Sequence, residues 1–341
     1  MAGLTAAAHA RKLGAEVVLL EKLGRPGGSM LLSSGVIWRY RELDRFRREC
    51  PGGDEALQRT IHERLDGDLR WLESLGAPVV ERQTGNPLTT GVRFDPRGLT
   101  DALVEAAGPV RLRDPLTELP SRPVVLATGG FQASRELVRR EVTPEARHLL
   151  LRAAPGSAGD GLRLALGAGA DRSAGLDEFY GRNMPAPPAR VEEEDFVRLA
   201  QVYARHADVT NDRGERYTAR TWSEIDVVQW TARQPGARAW YRVREEVLGE
   251  RVRERTIGEI VDAAELAGAP VRRERGTVVV ETVAGITTTL GGLRIDARAR
   301  AAPGLFACGA DAGGIATGGY VSGLAGALVF GRIAAASALE G

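Results

Sequence analysis

Apolar and polar positions follow two periods along this chain, and the switches between them mark its elements. Residues 4–13 form an alanine-rich helical run that stops at Gly14; residues 16–20 form a short apolar strand with Glu21 at its end. The charged stretch 39–76 carries leucines and Trp71 at helical spacing, so Trp71 is expected in a core. Residues 77–93 read as loop and strand, 98–107 as an amphipathic helix and 110–119 as a strand. Residues 123–126 form a buried strand that runs into Ala127-Thr128-Gly129-Gly130. A charged helix covers 132–147, and a helix at 162–166 opens on Gly159-Asp160-Gly161, with Asp160 placed to cap it. Thr256 and Glu259 form a capping box for a helix to residue 267, and 278–283 is a strand.

Composition narrows this picture little. With 341 residues, 43% of them hydrophobic, the chain is long enough for two domains with real cores. Its 46 basic and 45 acidic side chains leave a net charge of +1, so neither nucleic acid nor a membrane surface is an expected partner. Cys50 and Cys308 lie far apart and without metal-ligand spacing, which leads us to expect reduced thiols and a cytoplasmic protein. No apolar run is expected to reach the roughly 18 residues of a membrane span, and the start lacks the order of a signal peptide.

The chemistry is carried by glycines and acids placed after strands. In a βαβ nucleotide-binding unit an acid at a strand end accepts ribose hydroxyls, and glycine lets the helix pack closely on the sheet. Glu21 and Gly3 fit those roles, and the loop Gly27-Gly28-Ser29, continuing to Ser33 and Gly35, lets backbone approach a ligand. Residues 304–311 form an extended apolar segment ending in Asp311; a glycine-rich loop and a helix from Ser322 and Leu324 follow. Amides at that helix start suit a developing negative charge. Each signal alone is an ordinary turn or cap. In the polar aromatic stretch 176–185, Tyr180 and Arg182 stand out against the reading as a plain exposed loop. Arg216 and Arg220, four apart, would share a helix face and could fork a carboxylate, or simply pair with Glu215 or Glu224. Trp222 and Trp230 read as packing residues of one helix face.

In order along the chain these strings resemble the FAD-dependent oxidoreductase family of fumarate reductase, 3-ketosteroid dehydrogenase and tricarballylate dehydrogenase. The carriers are Met1-Ala2-Gly3-Leu4, Glu21-Lys22 with Gly27-Gly28-Ser29, Ala127-Thr128-Gly129-Gly130, Gly159-Asp160-Gly161, Gly214-Glu215-Arg216, Gly285-Ile286 and Gly309-Ala310-Asp311. The resemblance implies an α/β fold: a Rossmann-like FAD-binding domain (1–130 and 285–341) interrupted by an α+β substrate-binding cap (131–284). It implies FAD held by Gly3, Glu21, Lys22, Gly27, Gly28, Ser29, Ser33, Gly35, Ala127, Thr128, Gly129, Asp160, Gly309, Asp311, Ser322 and Leu324. It also implies that Met1 is an internal methionine, with a first strand and a Gly-x-Gly turn missing. Four residues depart from the fumarate reductase pattern: Glu224 and Gly318 stand where arginines are expected, and Thr287 and Thr288 where histidine is. The ketosteroid and tricarballylate branch is the closer likeness. The implied chemistry is hydride transfer between flavin and a carbon–carbon bond beside a carboxylate or carbonyl, with Arg182, Arg216 and Thr288 holding charge. Tyr320 is the expected proton carrier, with Tyr180 in reserve. The partners are a small carboxylate or enone substrate and an electron-transfer partner or soluble acceptor. Two readings stand beside it: a truncated relic that does not bind FAD, and a nicotinamide-linked enzyme using Glu21.

Overall fold

A computed structural model describes residues 1–219 and 225–340. Helix α1 (Ala2–Lys12) leads to strand β1 (Leu19–Glu21), then β2 (Val36–Tyr40), α2 (Leu43–Glu49), α3 (Glu55–Ser74), β3 (Val79–Glu81) and β4 (Thr89–Phe94). Next come α4 (Pro96–Ala107), β5 (Val110–Leu112), β6 (Val124–Leu126), α5 (Arg135–Glu141), β7 (Leu150–Leu151), α6 (Asp160–Gly167), β8 (Phe179–Pro185) and α7 (Asp195–Arg198). The chain continues through β9 (Asp208–Thr210), α8 (Ile225–Ala232), β10 (Arg238–Arg244), β11 (Arg251–Val252), β12 (Arg255–Thr256), α9 (Ile257–Leu266), β13 (Val271–Glu274) and β14 (Thr277–Thr289). It ends on β15 (Arg300–Ala302), β16 (Leu305–Ala307) and α10 (Gly323–Glu340).

These elements fall into two compact units. The first comprises Met1–Ser134, Ala153–Glu178 and Thr288–Gly341; the second comprises Arg135–Arg152 and Phe179–Thr287. The segment 153–178, expected in the cap, thus packs in the first unit. Its backbone is tied there: the Gly161 N–H donates to Thr128 Oγ1 at 3.1 Å, and the Gly292 N–H donates to Ser173 Oγ at 3.0 Å.

The first unit is mixed α/β, with parallel pairing of β1 with β5 and of β6 with β16, in two separate small sheets. Helix α1 packs on both β1 and β6, and α10 packs on α1, α3 and β16. Ala6, Ala10 and Ala335 build the α1–α10 contact, where small side chains permit close approach. Caps fix the helix starts. Asp54 accepts the Ala56 and Leu57 amides at α3, and Asp95 accepts the Gly98 amide ahead of Pro96 at α4. Trp71 is buried, as its spacing implied. One expectation fails: α10 is long and apolar enough to cross a membrane, although most of it is buried within this unit, as in a core helix. Sequence reading also lengthened some strands. Residues 39–40 belong to β2 rather than to a helix, and the strand expected over 110–119 stops at Leu112, level with Glu21 at the end of β1.

The second unit is built on β14, which pairs antiparallel with β10 and β13 and also pairs with β7 and β8. Its valine- and threonine-rich run is buried on both faces, and this extends the strand well beyond the expected 278–283. Where β8 meets β14, a Cβ on Gly181 would overlap the Gly285 carbonyl oxygen, so this closeness needs glycine. The capping box at α9 is present, with the Thr256 side chain and Glu259 exchanging hydrogen bonds.

Candidate functional site

In parallel α/β sheets, ligands bind beyond the carboxyl ends of the strands. At the carboxyl ends of strands in the first unit lie Glu21, the last residue of β1, Ala127 to Gly129 after β6, and Gly309 to Asp311 after β16. Gly3 supports this arrangement from α1. A Cβ there would lie 3.3 Å from Ala127 Cβ and 3.9 Å from Leu19 Cδ1, so glycine lets the helix rest on both sheets. The Glu21 carboxylate accepts the Leu23 N–H at 2.8 Å through Oε1. Gly28 has φ +55° and no atom within 4 Å of where a Cβ would stand, so this loop presents backbone to open space.

Asp311 is the tightest joint of the site. Wholly buried, it accepts the Thr128 N–H, the Thr128 hydroxyl at 3.0 Å and the Gly130 N–H at 3.3 Å. Burial pushes its carboxyl up from the ordinary aspartate value, against the donors of Thr128, Gly130 and Gly129 that favour the ionised form. The Thr128 hydroxyl also accepts the Gly161 N–H, and so caps α6. This corrects the expected role of Asp160: Gly159 is the N-cap and makes no side-chain cap bond. Asp160 instead pairs with Lys22 at 2.7 Å and with Arg163 at 3.0 Å. Partial burial opposes its ionisation, but these two cations hold the carboxyl below its ordinary value.

Other flagged residues have reasons internal to the fold. Gly35 has φ +72°, and a Cβ there would overlap the Phe94 carbonyl oxygen. On Gly129 a Cβ would lie 2.6 Å from Ser157 Oγ, and on Gly309 2.9 Å from Ala2 Cβ. Ser29 Oγ accepts the Ala154 N–H at 3.0 Å, and Ser33 Oγ accepts the Gly35 N–H at 3.1 Å. Gly27 also takes a positive φ of +106°, against Leu31 and Thr100. Ser322 is buried, donates to the Val36 carbonyl at 3.2 Å and accepts the Ala325 amide at the start of α10; Leu324 follows in that first turn, half-buried.

The catalytic candidates divide between the units. Tyr320 and Thr288 belong to the first. The Tyr320 hydroxyl accepts the Gly323 N–H at 3.2 Å, its carbonyl accepts the Tyr40 hydroxyl at 2.9 Å, and Trp38 meets its ring edge-on at 5.9 Å. The Thr288 hydroxyl donates to the Thr289 carbonyl at 3.3 Å. Tyr180 and Arg182 belong to the second unit and do meet: on β8 they share a strand face, with the guanidinium 5.1 Å from the ring centroid. Arg216 does not join them. It is 65% exposed, ion-paired with Asp208, and lies in an isolated bridge with Thr210 rather than on a helix. Arg220, Trp222 and Glu224 lie outside the described residues; Trp230 on α8 stands 5.9 Å from Tyr217. Sequence reading missed a buried arginine, Arg152, which donates to Thr287 Oγ1 at 2.7 Å and to the Phe196 carbonyl. Its signal was an arginine closing the apolar run Leu149-Leu150-Leu151.

The family model described as FAD binding domain matches residues 113–325. The chain belongs to that family. A second model, NAD(P)-binding Rossmann-like domain, matches residues 1–34 of this FAD-binding protein. No curated protein matches it in sequence. Among solved structures it is similar to the open form of a flavocytochrome c3 fumarate reductase, with TM-score 0.73 and 20% identity over 99% of this chain and 76% of the other. It is also similar to 3-ketosteroid-Δ4-(5α)-dehydrogenase from Rhodococcus jostii RHA1, with TM-score 0.71 and 20% identity over 99% and 94%. The 3-ketosteroid Δ1-dehydrogenase from Sterolibacterium denitrificans gives TM-score 0.73 and 15% identity over 99% and 97%. The chain is therefore an FAD-binding protein, and FAD is its cofactor. The residues present fit that group: an acid after β1, an open positive-φ glycine beyond it, and α1 brought against both sheets by Gly3.

Proposed function

We propose that this FAD-binding protein is a dehydrogenase or reductase acting on a carbon–carbon bond next to a carboxylate or carbonyl. The observation that carries the reading is the chain of bonds joining the loops after β1, β6 and β16: Lys22 pairs with Asp160, the Gly161 N–H donates to Thr128, and Thr128 donates to Asp311. Glu21 would hold the adenosine ribose, and the open backbone at Gly28 would run along the diphosphate. FAD supplies the hydride acceptor or donor when bound.

The chain's own groups then have separable tasks. Tyr320 holds a phenol oxygen against the first amide of α10, where a donated N–H and the helix dipole favour the oxygen carrying negative charge; this suits it to move a proton. In the second unit Arg182 would hold substrate charge with a fork of donors, and in the first the Thr288 hydroxyl is a further hydrogen-bonding candidate. Tyr180 stands in reserve for the proton. Arg216 leaves the proposed set because of its exposed ion pair.

The test is reduction of the bound flavin by a panel of tricarboxylates, 3-ketosteroids and enones. Bleaching by one class supports the reading, and Tyr320→Phe should then slow flavin reduction by about 100-fold while leaving substrate binding nearly unchanged. An unchanged rate removes Tyr320 from the mechanism, and no bleaching by any class contradicts the reading.

A further inference from the structure

Residues 312–320 carry four glycines on the way to Tyr320, a composition that gives the backbone little stiffness of its own. The loop is held from outside, by segments that all belong to the first unit. Gln58 on α3 is only 1% exposed, and its amide donates to the Cys50 carbonyl at 2.8 Å and to the Ile315 carbonyl at 3.1 Å. Backbone bonds run beside it: the Asp54 N–H donates to the Gly314 carbonyl at 2.8 Å, and the Gly52 N–H to the Thr317 carbonyl at 3.1 Å. From another segment, Glu178 Oε2 accepts the Gly318 N–H at 2.7 Å. The Glu178 backbone is itself fixed, its N–H donating to the Gly175 carbonyl and its carbonyl accepting the Leu290 N–H, each at 3.0 Å. The fit is close. A Cβ on Gly319 would overlap the Glu49 carbonyl oxygen, and one on Gly53 would overlap both the Gln58 amide nitrogen and the Ile315 carbonyl oxygen.

We infer that Gln58 and Glu178 are positioning residues for Tyr320, holding its loop so that the phenol oxygen stays against the Gly323 N–H. Glu178 grips the amide two residues before Tyr320, and Gln58 the carbonyl five residues before it. The Tyr40 hydroxyl then pins the carbonyl of Tyr320 itself. Neither side chain needs to touch substrate, because a displacement of about 1 Å at a reacting group can cost on the order of 100-fold in rate. Removing the Gln58 amide takes a donor from two backbone carbonyls at once. The inference rests on the proposed role of Tyr320 as proton carrier and extends that role to residues no motif marks.

The full chain with FAD added is mixed with propane-1,2,3-tricarboxylate or androst-4-ene-3,17-dione, whichever of the two bleaches the flavin, and the limiting rate of bleaching is measured. Glu178→Ala should lower that rate about 30-fold, with the half-saturating substrate concentration and the bound flavin within about twofold of the parent. Glu178→Gln keeps an acceptor oxygen for the Gly318 amide and should restore the rate to within about threefold. Gln58→Met, of similar length but without the donor, should lower it about tenfold. The deciding measurement is made in the Tyr320→Phe chain. Because Glu178 acts through the phenol, Glu178→Ala added there should slow the reaction less than about threefold further. A further loss of about 30-fold in that background, or a Glu178→Ala rate within about twofold of the parent, overturns the assignment. Hydrogen exchange of residues 312–320 separates this inference from the flavoenzyme reading, since Glu178→Ala and Gln58→Met should each speed exchange there at least about tenfold. Faster loop exchange in a chain whose flavin neither substrate bleaches ends the flavoenzyme reading alone. Exchange equal to the parent's in both variants, in a chain whose flavin one substrate bleaches, ends the positioning role alone.

Discussion

The two units assemble their candidate residues in opposite ways. In the first they rest on backbone: glycine torsions, strand ends and amides, with a buried acid, Asp311, joining the loops after β6 and β16. In the second they are long side chains, Tyr180, Arg182 and Arg152, on strands β8 and the end of β7 that pair with β14. Backbone devices leave short strings in a sequence. Side-chain clusters set by sheet pairing leave almost none.

Glycine replacements would break this comparison most sharply. Gly35→Ala in the first unit and Gly181→Ala in the second each drive a Cβ into a carbonyl oxygen, and each should cost about 3 kcal/mol or more of stability in thermal or denaturant unfolding. Gly28→Ala, with open space around it but a φ of +55°, should cost about 1 to 2 kcal/mol, less than Gly35→Ala, yet weaken FAD retention. If Gly28→Ala destabilises as much as Gly35→Ala, the division between packing glycines and ligand-facing glycines is wrong.

Asp311→Ala should come next, at about 2 to 3 kcal/mol, because it strands the buried donors of Thr128 and Gly130. Its pH signature follows from burial raising the folded-state value. The folded chain holds the proton more tightly than the unfolded one, so this group favours folding most at low pH. That contribution is lost as pH climbs from the unfolded aspartate value through the folded one. Asp311→Asn should flatten this part of the stability profile.

His9 gives a smaller effect of opposite sign. Burial, then Arg332, Lys12 and Arg64, lower it to about 4, so the unfolded chain takes the proton first. Stability should be full above the ordinary histidine value and fall as pH drops towards 4; His9→Phe, which keeps an aromatic ring against Trp71, should remove that slope. A slope that survives the replacement assigns it to other groups. Smallest of all, Arg216→Ala and Lys22→Met remove exposed or half-exposed ion pairs and should change stability by less than about 1 kcal/mol.

The α/β class and the glycine-rich loops at the strand ends were legible because they are local. Gly3, Gly28 and the acid after β16 each sit in a string whose spacing reflects one turn of backbone. Asp160 was misread because its neighbour Gly159 took the cap position, while the cap bond came from Thr128, far away in sequence. Arg216 looked like a substrate arginine because its partner, Asp208, is supplied across a bridge that no helical spacing shows. Arg152 went unflagged because its neighbours on β14 come from much later in the chain.

The central claim is that the first unit holds FAD through Glu21, Gly28 and the Thr128–Asp311 joint. Its most direct test is the visible flavin absorption of the full chain after incubation with FAD and removal of free cofactor, measured beside Glu21→Ala and Asp311→Asn. The account predicts a yellow protein with stoichiometric flavin, and a loss of most bound FAD in both variants while each remains folded by circular dichroism. A folded parent chain that emerges colourless, or variants that keep their flavin in full, would contradict it.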